Sequence, residues 1–384
     1  MDALWNATIH TPEVRRTNAA VLIEGGRILG VTDLEDVPRS ARRLDLGGGH
    51  LAAGFVDAQV NGGGGILFND APDVDSLRRI GLAHRRFGTT GFLPTLITDS
   101  PEKRRAAVGA VRAALAEGVP GILGLHLEGP HINPERRGVH DAHWIRPLHA
   151  DDLALMTSLE GGVVLVTLAP ESVPAEMIGE LTRRGVRVAA GHTAASYDET
   201  RAGLAAGITG FTHLFNAMSP LTSREPGAVG AALEDAASWC GIIADGHHVH
   251  PATLRLAWRV KAPGRLFLVT DAMPPTGADS TAFSLYGEAI TVKDGRCVNA
   301  EGKLAGSALD MASAVRYCVR EVGIPLDEAL RMASAYPAEF LGIAGQRGRI
   351  ARGRMADLVL LDDDLQVRGV WTGGKSLPEG LGLC

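Results

Sequence analysis

A chain of 384 residues, 45% hydrophobic and 21% charged, can bury a large core and is too apolar for an intrinsically disordered segment. Its formal net charge of −6, without a lysine or arginine run, argues against a nucleic-acid surface. No stretch approaches the ~20 apolar residues of a membrane span, and Met1-Asp-Ala-Leu-Trp-Asn lacks a basic segment followed by an apolar one, so a cytoplasmic location is expected.

Residues 1–50 contain short β-type segments, Ala19-Ala-Val-Leu-Ile-Glu and Arg27-Ile-Leu-Gly-Val-Thr, split by Gly25-Gly26, which signals a hairpin. Residues 342–384 look alike, with Ala356-Asp-Leu-Val-Leu-Leu-Asp and Gln366-Val-Arg-Gly-Val-Trp-Thr. Because the ends of a domain commonly lie together, the two termini are expected to pair into one small β-sandwich domain.

Between them, over 51–341, eight apolar β-rich runs alternate with helical patterns. The runs begin at Gly54, Gly91, Ile122, Val163, Val186, Gly210, Gly241 and Leu266; helices are expected over 74–87, 101–117, 150–159, 174–184 and 196–206. Near-continuous apolar strands covered by helices imply a parallel sheet, and eight such units imply an α/β fold, a closed (β/α)8 TIM-like barrel. The alternative is an open doubly wound sheet, but Gly62-Gly-Gly-Gly65 lacks the GxGxxG spacing such a sheet would want after its first strand. Residues 282–300, with an Asp-Gly turn, read as a β-hairpin inserted after the last strand, and helical patterns resume over 307–321 and 326–341. Cys240, Cys297, Cys318 and Cys384 have no CxxC spacing and are expected to be reduced thiols.

The chemistry-bearing side chains fall at or just beyond strand C-terminal ends, where barrel enzymes build their sites. Gln59 and Asn61 follow strand one, Glu128 ends strand three, and His192 and His213 follow strands five and six. Asp245, His247 and His248 follow strand seven, and Asp271 ends strand eight. Glu128, His192 and His213 supply one oxygen and two nitrogen ligands, a set that leaves a position for water on a divalent ion such as zinc. A single histidine is more often an ordinary hydrogen-bonded residue; the metal reading rests on three strand ends agreeing.

Asp271, in Val269-Thr-Asp-Ala-Met-Pro-Pro, is the candidate general base and acid, with a turn or helix cap as its bland role. The loop from His213 to Gly227 carries Asn216 and Arg224 and suits an anion, although an arginine taken alone is more often a solvated surface residue. Adjacent side chains cannot point the same way, so one inward residue is expected from His247, His248 and His250, and His248 is favoured. Beyond Glu128, His140 is preferred to His143 as the group that polarises a carbonyl.

Taken together, His126-Leu-Glu-Gly-Pro-His131, Gly191-His-Thr193, Thr212-His-Leu-Phe-Asn-Ala-Met218, Ile243-Ala-Asp-Gly246, Leu268-Val-Thr-Asp-Ala272 and Leu304-Ala-Gly-Ser307 resemble the N-acetylglucosamine-6-phosphate deacetylases of the amidohydrolase superfamily. The likeness runs essentially end to end, through Pro337-Ala-Glu-Phe-Leu-Gly342 and Gly353-Arg-Met-Ala-Asp-Leu358. It implies hydrolysis of N-acetylglucosamine 6-phosphate to glucosamine 6-phosphate and acetate. By position it implies Glu128, His192 and His213 as metal ligands, Asp271 as the acid/base, and His140 beside the acetamido carbonyl.

Asn216, Ala217, Arg224 and His248 correspond to sugar-phosphate contacts, with Arg224 reaching the neighbouring site of a homodimer. Many superfamily members carry His-x-His after strand one, whereas this chain has Gln59-Val-Asn61. Amides replace imidazoles poorly as ligands, so one divalent metal per subunit is expected, and Gln59 and Asn61 are assigned to the substrate side. The rival readings are another amidohydrolase, such as a cyclic amidase or deaminase acting on a substrate without phosphate, and a catalytically silent sugar-phosphate sensor.

Overall fold

The structure is a computed structural model, and it describes residues 1–376. Eight parallel strands form one sheet in sequential order: β1 (Phe55–Val60), β2 (Thr89–Ile97), β3 (Gly124–Glu128), β4 (Val163–Leu168), β5 (Arg187–Ala190), β6 (Gly210–Phe211), β7 (Trp239–Ile242) and β8 (Leu266–Leu268). Strand β8 returns to β1 through a parallel bridge between Val60 and Ala272 and a hydrogen bond from Asp271 N to Gln59 O, 3.0 Å. That contact closes the barrel. Almost every strand residue is buried, as expected for a parallel sheet covered on its outer face.

Several of the covering helices start where the chain supplies a side-chain cap. Helix α1 (Val74–Arg85) is capped by Asp73, α2 (Pro101–Ala116) by Ser100 with Pro101 in its first turn, and α5 (Tyr197–Ala206) by a reciprocal Ser196–Glu199 box. Helices α3 (Ala150–Met156), α4 (Ala175–Arg183), α6 (Gly227–Glu234) and α7 (Pro251–Val260) fill the remaining crossovers. The pattern over 307–321 becomes α8 (Met311–Tyr317) followed by a π-helical turn, Cys318–Val322.

The pattern over 326–341 is not one helix. It breaks at Ser334 into α9 (Leu326–Ala333) and α10 (Ala335–Phe340). Pro337 has no N–H to continue the ladder, and its ring would meet the carbonyl one turn back.

The termini form two further sheets. One orders Arg27–Asp33, Ala19–Glu24, Asp2–Trp5 and Arg42–Asp45; the other runs Lys375–Ser376, Val367–Thr372, Leu358–Leu361, His50–Ala53, Thr8–His10 and Arg15–Arg16. The antiparallel pairing of Leu358–Leu361 with His50–Ala53 joins the two chain ends. Leu4, Val21, Ile28, Leu51, Leu358 and Leu360 are buried in the core that these sheets share. Cys240, Cys297 and Cys318 are buried and unpaired, whereas Cys384 lies outside the described residues.

The insertion after β8 is larger than the expected hairpin. It is a four-stranded antiparallel sheet of Ala282–Leu285, Glu288–Lys293, Arg296–Val298 and Leu304–Ser307. Two tight turns build it, with positive φ at Tyr286 (51°) and Gly287 (83°) and again at Asp294 (51°) and Gly295 (77°). Asp-Gly advertises such a turn; Tyr-Gly does not, because a bulky residue rarely takes positive φ. Leu285, Ile290 and Cys297 of this sheet bury themselves against Ile97 and Met273, so it forms a wall over the C-terminal mouth of the barrel.

Candidate active site

Alternation along β3 directs His126 and Glu128 to one face and Leu125 and Leu127 to the other. His126 lies in the barrel interior between Thr95 Oγ1 (3.1 Å) and Thr167 Oγ1 (2.7 Å), and burial pushes its pKa down to about 4. It is a neutral packing residue. Two residues later, Glu128 emerges at the mouth beside histidines from β5 and β6.

Glu128 Oε1 is 3.2 Å from His192 Nε2 and 3.0 Å from His213 Nε2, and the two Nε2 atoms are 3.1 Å apart. Burial opposes charge on Glu128, but hydrogen bonds and charge from His192 and His213 outweigh it and hold the carboxyl well below its usual range. Burial likewise opposes charge on His213, yet Glu128 raises its pKa. Three donor atoms therefore converge on one buried point. A tetrahedral ion with ligand bonds of about 2.0–2.1 Å has ligand–ligand edges of about 3.3 Å, so this spacing fits a metal. The tautomer of His192 fits as well: its Nδ1 donates to the Arg136 carbonyl, 2.8 Å, which leaves the Nε2 lone pair facing the cluster.

His140 stands close enough to be weighed as a ligand, since Glu128, His140 and His192 have donor atoms within 4.8 Å of one another. Its hydrogen bonds argue otherwise. Thr98 N donates to His140 Nδ1 at 3.3 Å, and Thr98 Oγ1 lies 2.7 Å from the same nitrogen. A backbone N–H can only donate, so Nδ1 accepts and the proton sits on Nε2. Burial holds His140 well below the usual histidine pKa, so it is a neutral N–H donor.

Asp271 completes the cluster. Its Oδ1 accepts from Gln59 Nε2 at 3.0 Å and Asn61 Nδ2 at 2.7 Å, while burial and then the Glu128 charge raise its pKa. The Gln59 amide also donates to Glu128 Oε1 and Oε2, at 3.1 and 3.2 Å. Three of the clustered residues, His192 (φ 48°), His213 (φ 31°) and Asp271 (φ 53°), adopt left-handed backbone conformations. Each is an unfavourable choice for a side-chain-bearing residue and requires support from its surroundings. Around His213 that support includes Leu214 N to Gly241 O at 2.7 Å.

Glu128, His140, His192, His213 and Asp271 line a cleft of about 190 Å³ together with Asn61, Asn216, Ala217 and His248. His248 is held by Asp245 Oδ2 at 2.6 Å from its Nδ1, whereas His247 and His143 are exposed. Gln59 lies beneath the cleft rather than on its wall, and Arg224 is exposed and outside the lining of its own cleft. The remaining wall includes Ile97, Val139, Met273, Leu304 and Gly306, none singled out from the sequence as a site residue. Leu304-Ala-Gly-Ser307 was legible only as a motif; its place at the cleft follows from the inserted sheet folding back over Met273.

The chain matches the amidohydrolase family over residues 51–377. It is 48% identical to an N-acetylgalactosamine-6-phosphate deacetylase of Shewanella sp. (strain ANA-3), covering 94% of this chain and 92% of that one. It is 35% identical to the N-acetylglucosamine-6-phosphate deacetylase of Haemophilus influenzae, over 97% of this chain and 98% of the relative. Among solved structures, the N-acetylglucosamine-6-phosphate deacetylase from Pasteurella multocida superposes with a TM-score of 0.95 at 37% identity, covering 98% of this chain and 99% of that one. A family match across the whole barrel and full-length relatives at this identity agree with the buried carboxylate–histidine cluster: the chain belongs to the amidohydrolase family, alongside these deacetylases.

Proposed function

We propose that the protein is a metal-dependent deacetylase that hydrolyses N-acetyl-D-glucosamine 6-phosphate to D-glucosamine 6-phosphate and acetate. The observation that carries this reading is the convergence of Glu128 and the Nε2 atoms of His192 and His213 within 3.2 Å of one another, beside Asp271. These three side chains would hold the ion. A divalent ion there supplies Lewis acidity toward water and toward an amide carbonyl.

The chain's own groups do the rest. Both amides donate to Asp271 Oδ1, which leaves Oδ2 to take a proton from the attacking water and return it to the leaving amine nitrogen. The Nε2–H of His140 donates to the acetamido oxygen as negative charge develops there. Asn216, Ala217, His248 and Arg224 are assigned to the sugar phosphate, whose binding orients the amide.

We take the ion to be zinc, one per subunit, because one oxygen and two imidazole donors suit it and the Gln59 and Asn61 amides point N–H groups, not lone pairs, at Asp271. Arg224, exposed and off its own cleft, supports a homodimer in which it serves the neighbouring site. Buried free cysteines support a cytoplasmic protein, and among the described residues no helix is long and apolar enough to cross a membrane. We divide the chain into a barrel over 51–341 and a sandwich of 1–50 with 342–384; the strand His50–Ala53 runs three residues past the first boundary.

A second reading comes from the 48% identical relative, whose name specifies the galactosamine epimer. The experiment is acetate release from N-acetylglucosamine and N-acetylgalactosamine, each with and without the 6-phosphate. A higher kcat/KM for the galactosamine phosphate would replace the glucosamine assignment. Equal values with and without phosphate would remove the phosphate site, and release from none would overturn the deacetylase reading.

A further inference from the structure

The orientation of His140 is set from outside the catalytic cluster. Thr98 is the first residue beyond β2 and is 1% exposed. Its backbone N lies 3.3 Å and its Oγ1 2.7 Å from His140 Nδ1, and the hydroxyl has one further acceptor, Glu128 O, at the longer distance of 3.4 Å. Thr98 is itself pinned from above, since the Tyr286 hydroxyl of the inserted sheet donates to Thr98 O at 2.5 Å. From below it is packed closely: a Cβ on Gly129, whose φ is 84°, would lie 2.2 Å from Thr98 Oγ1. Of the two acceptors within reach of the hydroxyl, the ring nitrogen at 2.7 Å is much nearer than Glu128 O at 3.4 Å, which favours the bond to the ring.

We infer that Thr98 is a positioning residue for the deacetylation, fixing His140 in the tautomer and ring orientation that present Nε2–H to the substrate carbonyl oxygen. The inference rests on the role given to His140 above. Without the hydroxyl, the imidazole keeps only the longer bond from the Thr98 backbone and can rotate about its Cβ–Cγ bond, so that the donor no longer meets the oxygen where charge develops. The loss is then felt in the transition state more than in substrate binding.

The test compares Thr98→Ala and Thr98→Ser with wild type, in the native and His140→Ala backgrounds, with melting temperature and metal content measured for each. Thr98→Ala is expected to lower kcat by about tenfold or more with KM changed less than about threefold, and Thr98→Ser to restore most of it. In the His140→Ala background the same change should lower kcat by less than about twofold. Nitrogen-15 spectra of histidine-labelled protein should show His140 protonated on Nε2 in wild type and Thr98→Ser, and a mixture of tautomers in Thr98→Ala. A proton on Nδ1 in wild type, or an equal loss of kcat in both backgrounds, would overturn the proposal. If wild type released no acetate from any hexosamine phosphate, the functional reading would fail and the tautomer spectra alone would decide the role of Thr98.

Discussion

Gln59 and Asp271 are joined twice, by Asp271 N donating to Gln59 O at 3.0 Å and by the Gln59 side-chain amide donating to Asp271 Oδ1 at 3.0 Å. The first bond closes the barrel and the second touches the proposed base, so one residue pair serves both the fold and the chemistry. Gln59→Leu removes a donor from an already destabilised carboxylate, and the Asp271 pKa, raised by burial and by Glu128, should rise further. A base with a higher pKa ionises at higher pH. The acid limb of the kcat/KM profile should therefore move upward, with kcat down about tenfold at neutral pH. An unshifted acid limb would show that the amide does not tune Asp271.

Asp271→Asn keeps a polar side chain of the same shape but cannot accept the proton. Acetate release by this variant should fall by about 10²–10⁴-fold with little change in KM. Retention of a tenth of wild-type turnover would transfer the base role to another group.

Elemental analysis of protein purified without chelators should find about one metal ion per chain, and Glu128→Gln should lose most of it. Two ions per chain would mean that Gln59 and Asn61 act as ligands, contrary to the direction of their hydrogen bonds.

Subunit mixing tests the assignment of Arg224. Arg224→Ala should raise KM for the phosphorylated sugar at least about tenfold, and Asp271→Asn dimers should be nearly silent. Mixed dimers should regain low KM, because a site with an intact Asp271 then receives Arg224 from its neighbour. Absence of recovery in verified mixed dimers would place Arg224 in its own subunit's site or in none.

Asp57 offers a stability test apart from turnover. It is buried in β1, where burial pushes its pKa up to about 7 against hydrogen bonds from Thr270 and the Gln59 backbone. The folded pKa lies above the unfolded value near 3.8, so folding takes up a proton between those pH values. Its contribution is fully present below about pH 4 and is lost as pH rises through about 7. Asp57→Asn mimics the protonated form, and its melting temperature relative to wild type should climb between pH 5 and pH 8. A pH-independent difference would show that Asp57 titrates normally.

Much of the barrel was legible because its signals are local. Eight apolar runs with polar residues at their ends mark buried parallel strands, and a carboxylate at the end of Leu125-His-Leu-Glu is conspicuous since burying it alone is unfavourable. The ends of the inserted sheet and the break at Ser334 were harder. Tyr286 takes positive φ against its own preference, and the pattern over 326–341 keeps helical periodicity through Pro337, so only packing reveals the interruption.

The sequence by itself determined which residue types could carry metal and acid–base chemistry and on which strand ends they would fall, because strand periodicity and turn residues are written in neighbouring positions. Tertiary structure alone decided their partners. That His140 donates through Nε2 depends on Thr98, 42 positions away, and that Gln59 restrains Asp271 depends on β8 closing against β1 across 212 positions. Hydrogen-bond direction is fixed by the atoms that meet, and those meetings exist only after the barrel closes.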